Sequence, residues 1–233
     1  MKTIAFFNWK GGVANTTLAT HSCIYSAERG LQVAGASLGH LHDLRPSLFR
    51  GGVPWHDALE DLPTAGDLLV LDVSSQADCL DVLRPNLWIM PMCNRTAYEN
   101  AARSVSTLEG PVLWVWSRGS AWRDDVPIHL RDRVSMSPVI IPNSRAVAEN
   151  AEADLAAWST KAGARSPGAR AIQQFTEDVL GRVGLASMLT QARALPRFAG
   201  PMPSLYGGRD LRARMTAARP RLQAYFDGPP SAP

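Results

Sequence analysis

Lysine is nearly absent from this chain. Of its 233 residues only Lys2, Lys10 and Lys161 are lysine, so almost all the positive charge is arginine. Cysteine is scarce too, and Cys23, Cys79 and Cys93 stand far apart. With no C-x-x-C pair, zinc-ribbon and dithiol redox chemistry have no framework, and the thiols read as small apolar groups. An odd cysteine count without a secretory leader fits a reducing cytoplasm, since the first apolar run stops at Asn8. No run approaches the roughly 20 apolar residues of a membrane-spanning helix. Ser74-Ser75 lack the G-x-S-x-G elbow of a hydrolase nucleophile. His40, His42 and Asp43, with His56-Asp57 nearby, have metal-binding chemistry, but no further ligand sits at a confirming spacing. They read as solvated loop residues.

What the chain does have is apolar residues, 45% of the total, enough for a packed core. They fall in short continuous runs at 3–7, 31–36, 68–73, 87–91, 112–116 and 138–141. Continuity without alternation is the pattern of a parallel sheet buried on both faces. Trp114 and Trp116 lie in one such run and read as core. Between the runs lie helical patterns. Residues 16–29 end at Gly30, a good helix-stopping glycine, and 96–108 stop at Gly110-Pro111. Residues 145–158 carry Val147, Ala151, Leu155 and Trp158 on one face, and 167–183 open with Pro167. Strands alternating with helices predict βαβ units and right-handed crossovers. The expected fold is α/β, a parallel doubly wound sheet flanked by helices over residues 1–183. A basic, helical C-terminal extension with a frayed end follows over 184–233.

The most telling segment is Asn8-Trp9-Lys10-Gly11-Gly12-Val13-Ala14-Asn15-Thr16-Thr17. An apolar strand precedes it and a helical pattern follows. In that context a glycine-rich turn becomes a phosphate site, because the first-turn N–H groups and the positive helix end face an anion. The phosphate-loop pattern G-x-x-x-x-G-K-[ST] closes here with Ala14, Asn15 and Thr16. Its lysine is missing.

Lys10-Gly11-Gly12 followed by Thr16-Thr17 resembles the deviant Walker-A motif, K-G-G-x-G-K-[ST]-T, of the ParA/MinD family of partition and positioning ATPases. Asp67-Leu68-Leu69-Val70-Leu71-Asp72 resembles that family's Walker-B strand, and Asn86-Leu87-Trp88-Ile89-Met90-Pro91 its next core strand. The resemblance implies a P-loop fold of the ParA/MinD type with ATP or ADP and Mg²⁺ as cofactors. It implies that Gly11, Gly12, Val13, Ala14, Asn15, Thr16 and Thr17 cradle phosphate and that Thr16 and Asp72 hold Mg²⁺. It also implies that Lys10 reaches across a homodimer to the partner's phosphates and that Pro142-Asn143 flank the base. Departures are equally specific. Asn15 replaces an ammonium by a neutral amide, a loss on the order of 1.5–3 kcal/mol in ground-state phosphate binding. Ser37 and Gly39 stand where the family's D-x-D-P-Q carries carboxylates, and Val73-Ser74-Ser75 replaces its T-P-P. Ser117-Arg118 replaces an adenine-reading asparagine; Arg118 could stack on a base or contact phosphate, but reads first as a surface arginine. The expectation is slow or absent hydrolysis. The cluster cysteines of the nitrogenase-iron-protein branch have no match.

Residues 181–233 hold eight arginines against Asp210 and Asp227, while the net charge of the whole chain is only +3. In 208–226, Leu211, Met215, Leu222 and Phe226 recur at helical spacing, with Pro220 interrupting. The arginines suit non-specific DNA contact or an acidic protein better than a membrane, and a helix packed on the body remains open. Two functions follow. One is a nucleotide-binding positioning dimer that engages a cargo or adaptor protein. The other is a pseudo-ATPase scaffold or regulatory subunit with no nucleotide cycle.

Overall fold

In the computed structural model the central strand β1 (Lys2–Phe7) is buried from Thr3 to Phe7, with Ile4 and Phe6 facing one side and Ala5 and Phe7 the other. The structure describes residues 1–39, 45–57, 63–75, 77, 79–118, 123–193, 195, 223 and 226. Six more strands run parallel to β1: β2 (Val33–Leu38), β3 (Trp55–Asp57), β4 (Leu68–Val73), β5 (Leu87–Met92), β6 (Val112–Trp116) and β7 (Val134–Ile140). Their spatial order is β3-β2-β4-β1-β5-β6-β7, one seven-stranded sheet. In register, Phe6 lies level with Asp72, and Asp72 with Ser37.

Two layers of helix cover it, as the continuous apolar runs require. On one face α1 (Asn15–Glu28) and α6 (Pro167–Arg182) pack Leu18, Ile24, Ile172 and Phe175 against Ile4 and Phe6. The Phe6 and Phe175 rings meet edge-on, 6.5 Å between centroids. The other face packs α3 (Arg95–Ser104) through Ala97 and Ala101, with Trp88, Trp114 and Trp116 in the same cluster. Tyr98 of α3 stacks flat on Trp116 and meets Trp114 edge-on. Both tryptophans are core. So are Cys23 and Cys79, with Cys93 half-buried.

Helix α1 ends as its sequence says it should. Gly30 has φ +94, its N–H reaches Ala27 O, and the N–H of Leu31 reaches Ser26 O. That pair of bonds is the Schellman stop. The helix expected over 145–158 is shorter. It runs only as α4 (Arg145–Glu152), and α5 (Lys161–Arg165) follows after a break. The same Schellman pair ends it, Asp154 N–H to Ala151 O and Leu155 N–H to Asn150 O, with Asp154 at φ +53 in place of a glycine. The Asn150 amide then donates to Ala156 O and Ala157 O, turning the chain away. The last strand begins four residues earlier than the apolar run at 138–141, because an edge strand tolerates Ser135 and Ser137. Strand β3 and the short helix α2 (Arg45–Gly51) had no sequence signal.

Beyond residue 183 the described chain stays on this body. Leu185 is buried with the α1–α6 cluster, and the N–H groups of Thr190 and Arg193 donate to Arg29 O and Glu28 O at the end of α1. Phe226 packs on the opposite face. The rest of the basic segment, and the pattern expected over 208–226, lie outside the described residues. No described helix is long and apolar enough to cross a membrane.

Candidate functional site

The strand order fixes where a site can form. From β1 the chain passes to β2 on one side of the sheet, and β5, β6 and β7 extend on the other. In open parallel sheets the crevice at such a reversal opens beyond the carboxyl ends of the strands. The glycine-rich loop leaves β1 at this point.

Several bonds hold the loop in place. Asn8 is buried, and its amide donates to Pro91 O at 2.9 Å and Ala97 O at 3.3 Å, while its Oδ1 accepts the Lys10 N–H. Val13 is buried in the core beneath the loop, and its carbonyl accepts the Ser117 hydroxyl at 2.8 Å. Gly12 has φ +74 and Ala14 φ +82, both left-handed. A Cβ built on Gly11 or Gly12 would meet nothing within 4 Å. The loop therefore turns its backbone toward open space. Ala14 is the N-cap of α1 and offers no side chain to its first-turn N–H groups. Those donors are left to a ligand or water.

Beneath the loop Thr16 Oγ1 donates to Asp72 Oδ2 at 2.7 Å. Asp72 lies in a run of fully buried residues on β4, between Leu71 and Val73, and is itself 0% exposed. Burial, with the Asp72 carboxylate adding to it, pushes the neighbouring Cys23 thiol up, so Cys23 stays protonated and inert. The cleft above has a volume of about 390 Å³. Asn8, Lys10, all residues from Gly11 to Thr17, Val73, Ser74, Ser75 and Arg118 line it. A second cleft of about 110 Å³ adjoins it. Pro142 and Asn143 line that one, together with Ala14, Thr17, Ser117 and Arg118.

The structure thus gathers every sequence-predicted residue. Lys10 through Thr17 and the Ser74-Ser75 stretch form the first cleft, Asp72 lies under it, and Pro142-Asn143 form the second. Among the described residues the Lys10 ammonium reaches only the carbonyl of Gly11, at 3.5 Å. Asn15 Oδ1 is buried without a hydrogen-bond partner. Gly39 has φ +72, and a Cβ there would lie 3.2 Å from the Ala77 backbone. No side chain fits that backbone without movement, so the carboxylate missing at 39 is missing for a packing reason. His40, His42 and Asp43 lie outside the described residues, as do the side chains of His56 and Asp57. Among the described residues no group of three or more His, Cys, Asp or Glu is placed to hold a metal. Sequence reasoning weighed a base or phosphate contact for Arg118 and preferred a surface reading; the structure places it in the lining of both clefts.

A parallel doubly wound sheet with a phosphate-type loop after its central strand and an aspartate on the adjacent strand defines the P-loop class of α/β fold. No protein-family model matches the chain, and no curated protein matches it by sequence. Solved structures do. The cell division ATPase MinD of Pyrococcus furiosus superposes with a TM-score of 0.56 at 15% identity, over 77% of this chain and 98% of that one. The septum site-determining protein MinD of Pyrococcus horikoshii, complexed with Mg-ADP, gives 0.54 at 15% identity, over 76% and 95%. MinD in the MinC:MinD complex of Aquifex aeolicus gives 0.51 at 12% identity, over 85% and 99%. Within the P-loop class, then, this chain has the ParA/MinD fold.

Proposed function

We propose that this protein is a ParA/MinD-type positioning protein that binds a Mg²⁺-nucleotide and hydrolyses it slowly or not at all. The observation that carries the reading is the Thr16–Asp72 hydrogen bond at 2.7 Å beneath an open glycine loop. Two distant segments have kept the hydroxyl and carboxylate that a phosphate-bound Mg²⁺ requires. The rest of the cleft fits the same group. Loop amides face open space, the start of α1 lacks a side-chain cap, and the buried Asn15 oxygen has no partner among the described residues. Buried polar atoms are rarely left so unless a ligand or water completes them. In this reading amides 12–17 hold phosphate, Thr16 and Asp72 hold the metal, and Pro142-Asn143 flank the base. The bound metal would neutralise charge on the phosphates.

Slow turnover follows from what the chain's own residues do. Asn15 contributes no charge, and Gly39, where a Cβ would lie 3.2 Å from the Ala77 backbone, supplies no carboxylate to orient water. Such electrostatic and positioning terms dominate phosphoryl transfer. Homodimerisation, with Lys10 acting across the interface, is part of the proposal. So is engagement of a protein cargo or adaptor; one structural neighbour is a MinC:MinD complex. The packing at Gly39 also supports a second reading, a scaffold that has given up the nucleotide altogether. Isothermal titration of Mg-ATP and Mg-ADP separates the two. Saturable micromolar binding, lost in Thr16→Ala, is expected for the native chain. Silence from the native chain with binding restored by Asn15→Lys would establish the scaffold instead.

A further inference from the structure

We propose that Arg118 supplies the phosphate-binding charge that Asn15 no longer provides. The inference rests on the nucleotide reading of the cleft and adds a residue that reading does not contain.

Among the described residues the cleft is lined by two cations, Lys10 and Arg118, and by no carboxylate. Its lining therefore suits a polyanion although the loop has lost its own lysine. Of the two, Lys10 is turned back on the Gly11 carbonyl of its own loop. Arg118 is exposed, and among the described residues it has neither an ion pair nor a hydrogen bond. That sets it apart from Arg29, Arg50, Arg84, Arg95, Arg145 and Arg182, each of which faces a carboxylate.

Arg118 is also held, at a cost, in one place. Its φ is +57, a left-handed conformation that a long side chain seldom adopts. The residue before it is firmly tied. Buried Ser117 donates its N–H to Met92 O at 2.8 Å, and its hydroxyl to Val13 O at 2.8 Å and Met92 O at 3.3 Å. The Val13 bond ties the end of β6 directly to the phosphate loop. Arg118 and Asn15 line the same larger cleft, and Arg118 lines the smaller one as well. Strain beside a buried tie, on a residue with a free guanidinium, points to a role for that group. A guanidinium offers a planar fork of donors that grips phosphate oxygens in pairs. It approaches from the rim where a loop lysine would approach from beneath.

The test is titration of Mg-ATP and of tripolyphosphate, which has no base, into the native chain, Arg118→Ala, Arg118→Lys, Arg118→Gly and the double variant Asn15→Lys/Arg118→Ala. Arg118→Gly suits the left-handed backbone and controls for folding, checked by the unfolding midpoint without ligand. Loss of the guanidinium should weaken both ligands by a similar factor, about 10- to 150-fold, and by less at high salt. Arg118→Lys should keep part of the affinity, and Asn15→Lys should restore binding to Arg118→Ala. Equal binding by native chain and Arg118→Gly would overturn the assignment and leave the nucleotide reading standing. A loss confined to ATP would place Arg118 on the base and overturn it too. Absence of binding by the native chain would remove the nucleotide reading, and Arg118 with it.

Discussion

Ala14 occupies the last turn before α1 in a left-handed conformation, φ +82, at the position where the phosphate-loop pattern carries glycine. A Cβ there costs about 1–2 kcal/mol, and glycine returns about 0.5–1 kcal/mol of that as lost chain entropy. Ala14→Gly should therefore raise stability by about 0.5–1 kcal/mol, read as a higher urea midpoint with an unchanged slope. A lower midpoint would mean that the loop relaxes around alanine. The sequence was informative at this scale wherever a residue type is tied to a motif. Gly11 through Thr17 and Asp72 were placed from pattern alone, and the loss at Asn15 was plain. At Arg118 the sequence left a base contact, a phosphate contact and a surface role side by side, for a physical reason. Its placement depends on a hydrogen bond between Ser117 and Val13, 104 positions apart, and on a backbone angle that no local pattern encodes.

Helix α1 links the site to the far side of the fold through one imidazole. His21 is 2% exposed; its Nδ1 lies 2.6 Å from Thr17 O, and its Nε2 accepts the Ala157 N–H at 2.8 Å. Those two bonds demand the neutral ring with its proton on Nδ1. Burial lowers the His21 pKa below its ordinary value of 6.5, against the smaller raising effect of the Thr17 carbonyl. The unfolded chain then binds the proton more readily, so this contribution is complete above about pH 6.5 and is lost as pH falls below it. The urea midpoint should drop between pH 7.5 and 5.5, and His21→Gln should flatten that drop. An equal drop in the variant would assign it to other groups. Element boundaries were legible where a glycine marked them, as at Gly30. They were not where Asp154 took the same left-handed role, since aspartate is no stop signal by itself. Three residues of β3 are simply too few to form a periodic pattern.

Over the whole molecule the parallel direction of the main strands followed from continuous apolar runs separated by helices, the pattern of a sheet buried on both faces. The course of the chain past 183 did not, since its contacts are with the end of α1, far away in sequence. Assembly is the property to test at this scale. If Lys10 acts across a dimer, Mg-ATP should shift the native chain from monomer to dimer in sedimentation velocity. Lys10→Ala should stay monomeric while still binding nucleotide, because among the described residues its ammonium touches only its own loop. Dimerisation of Lys10→Ala at native strength would assign the interface elsewhere. The margins of the sheet bear on the same question. One flank is β3, three residues long, and the other is β7, which carries Pro138 and slips register between Trp114 and Trp116. A short flank and an interrupted one are poor templates for a strand from another molecule. Copies of this protein are thereby steered away from fibre-like growth by backbone pairing, and any assembly they make must be built from side chains, where it can be reversed.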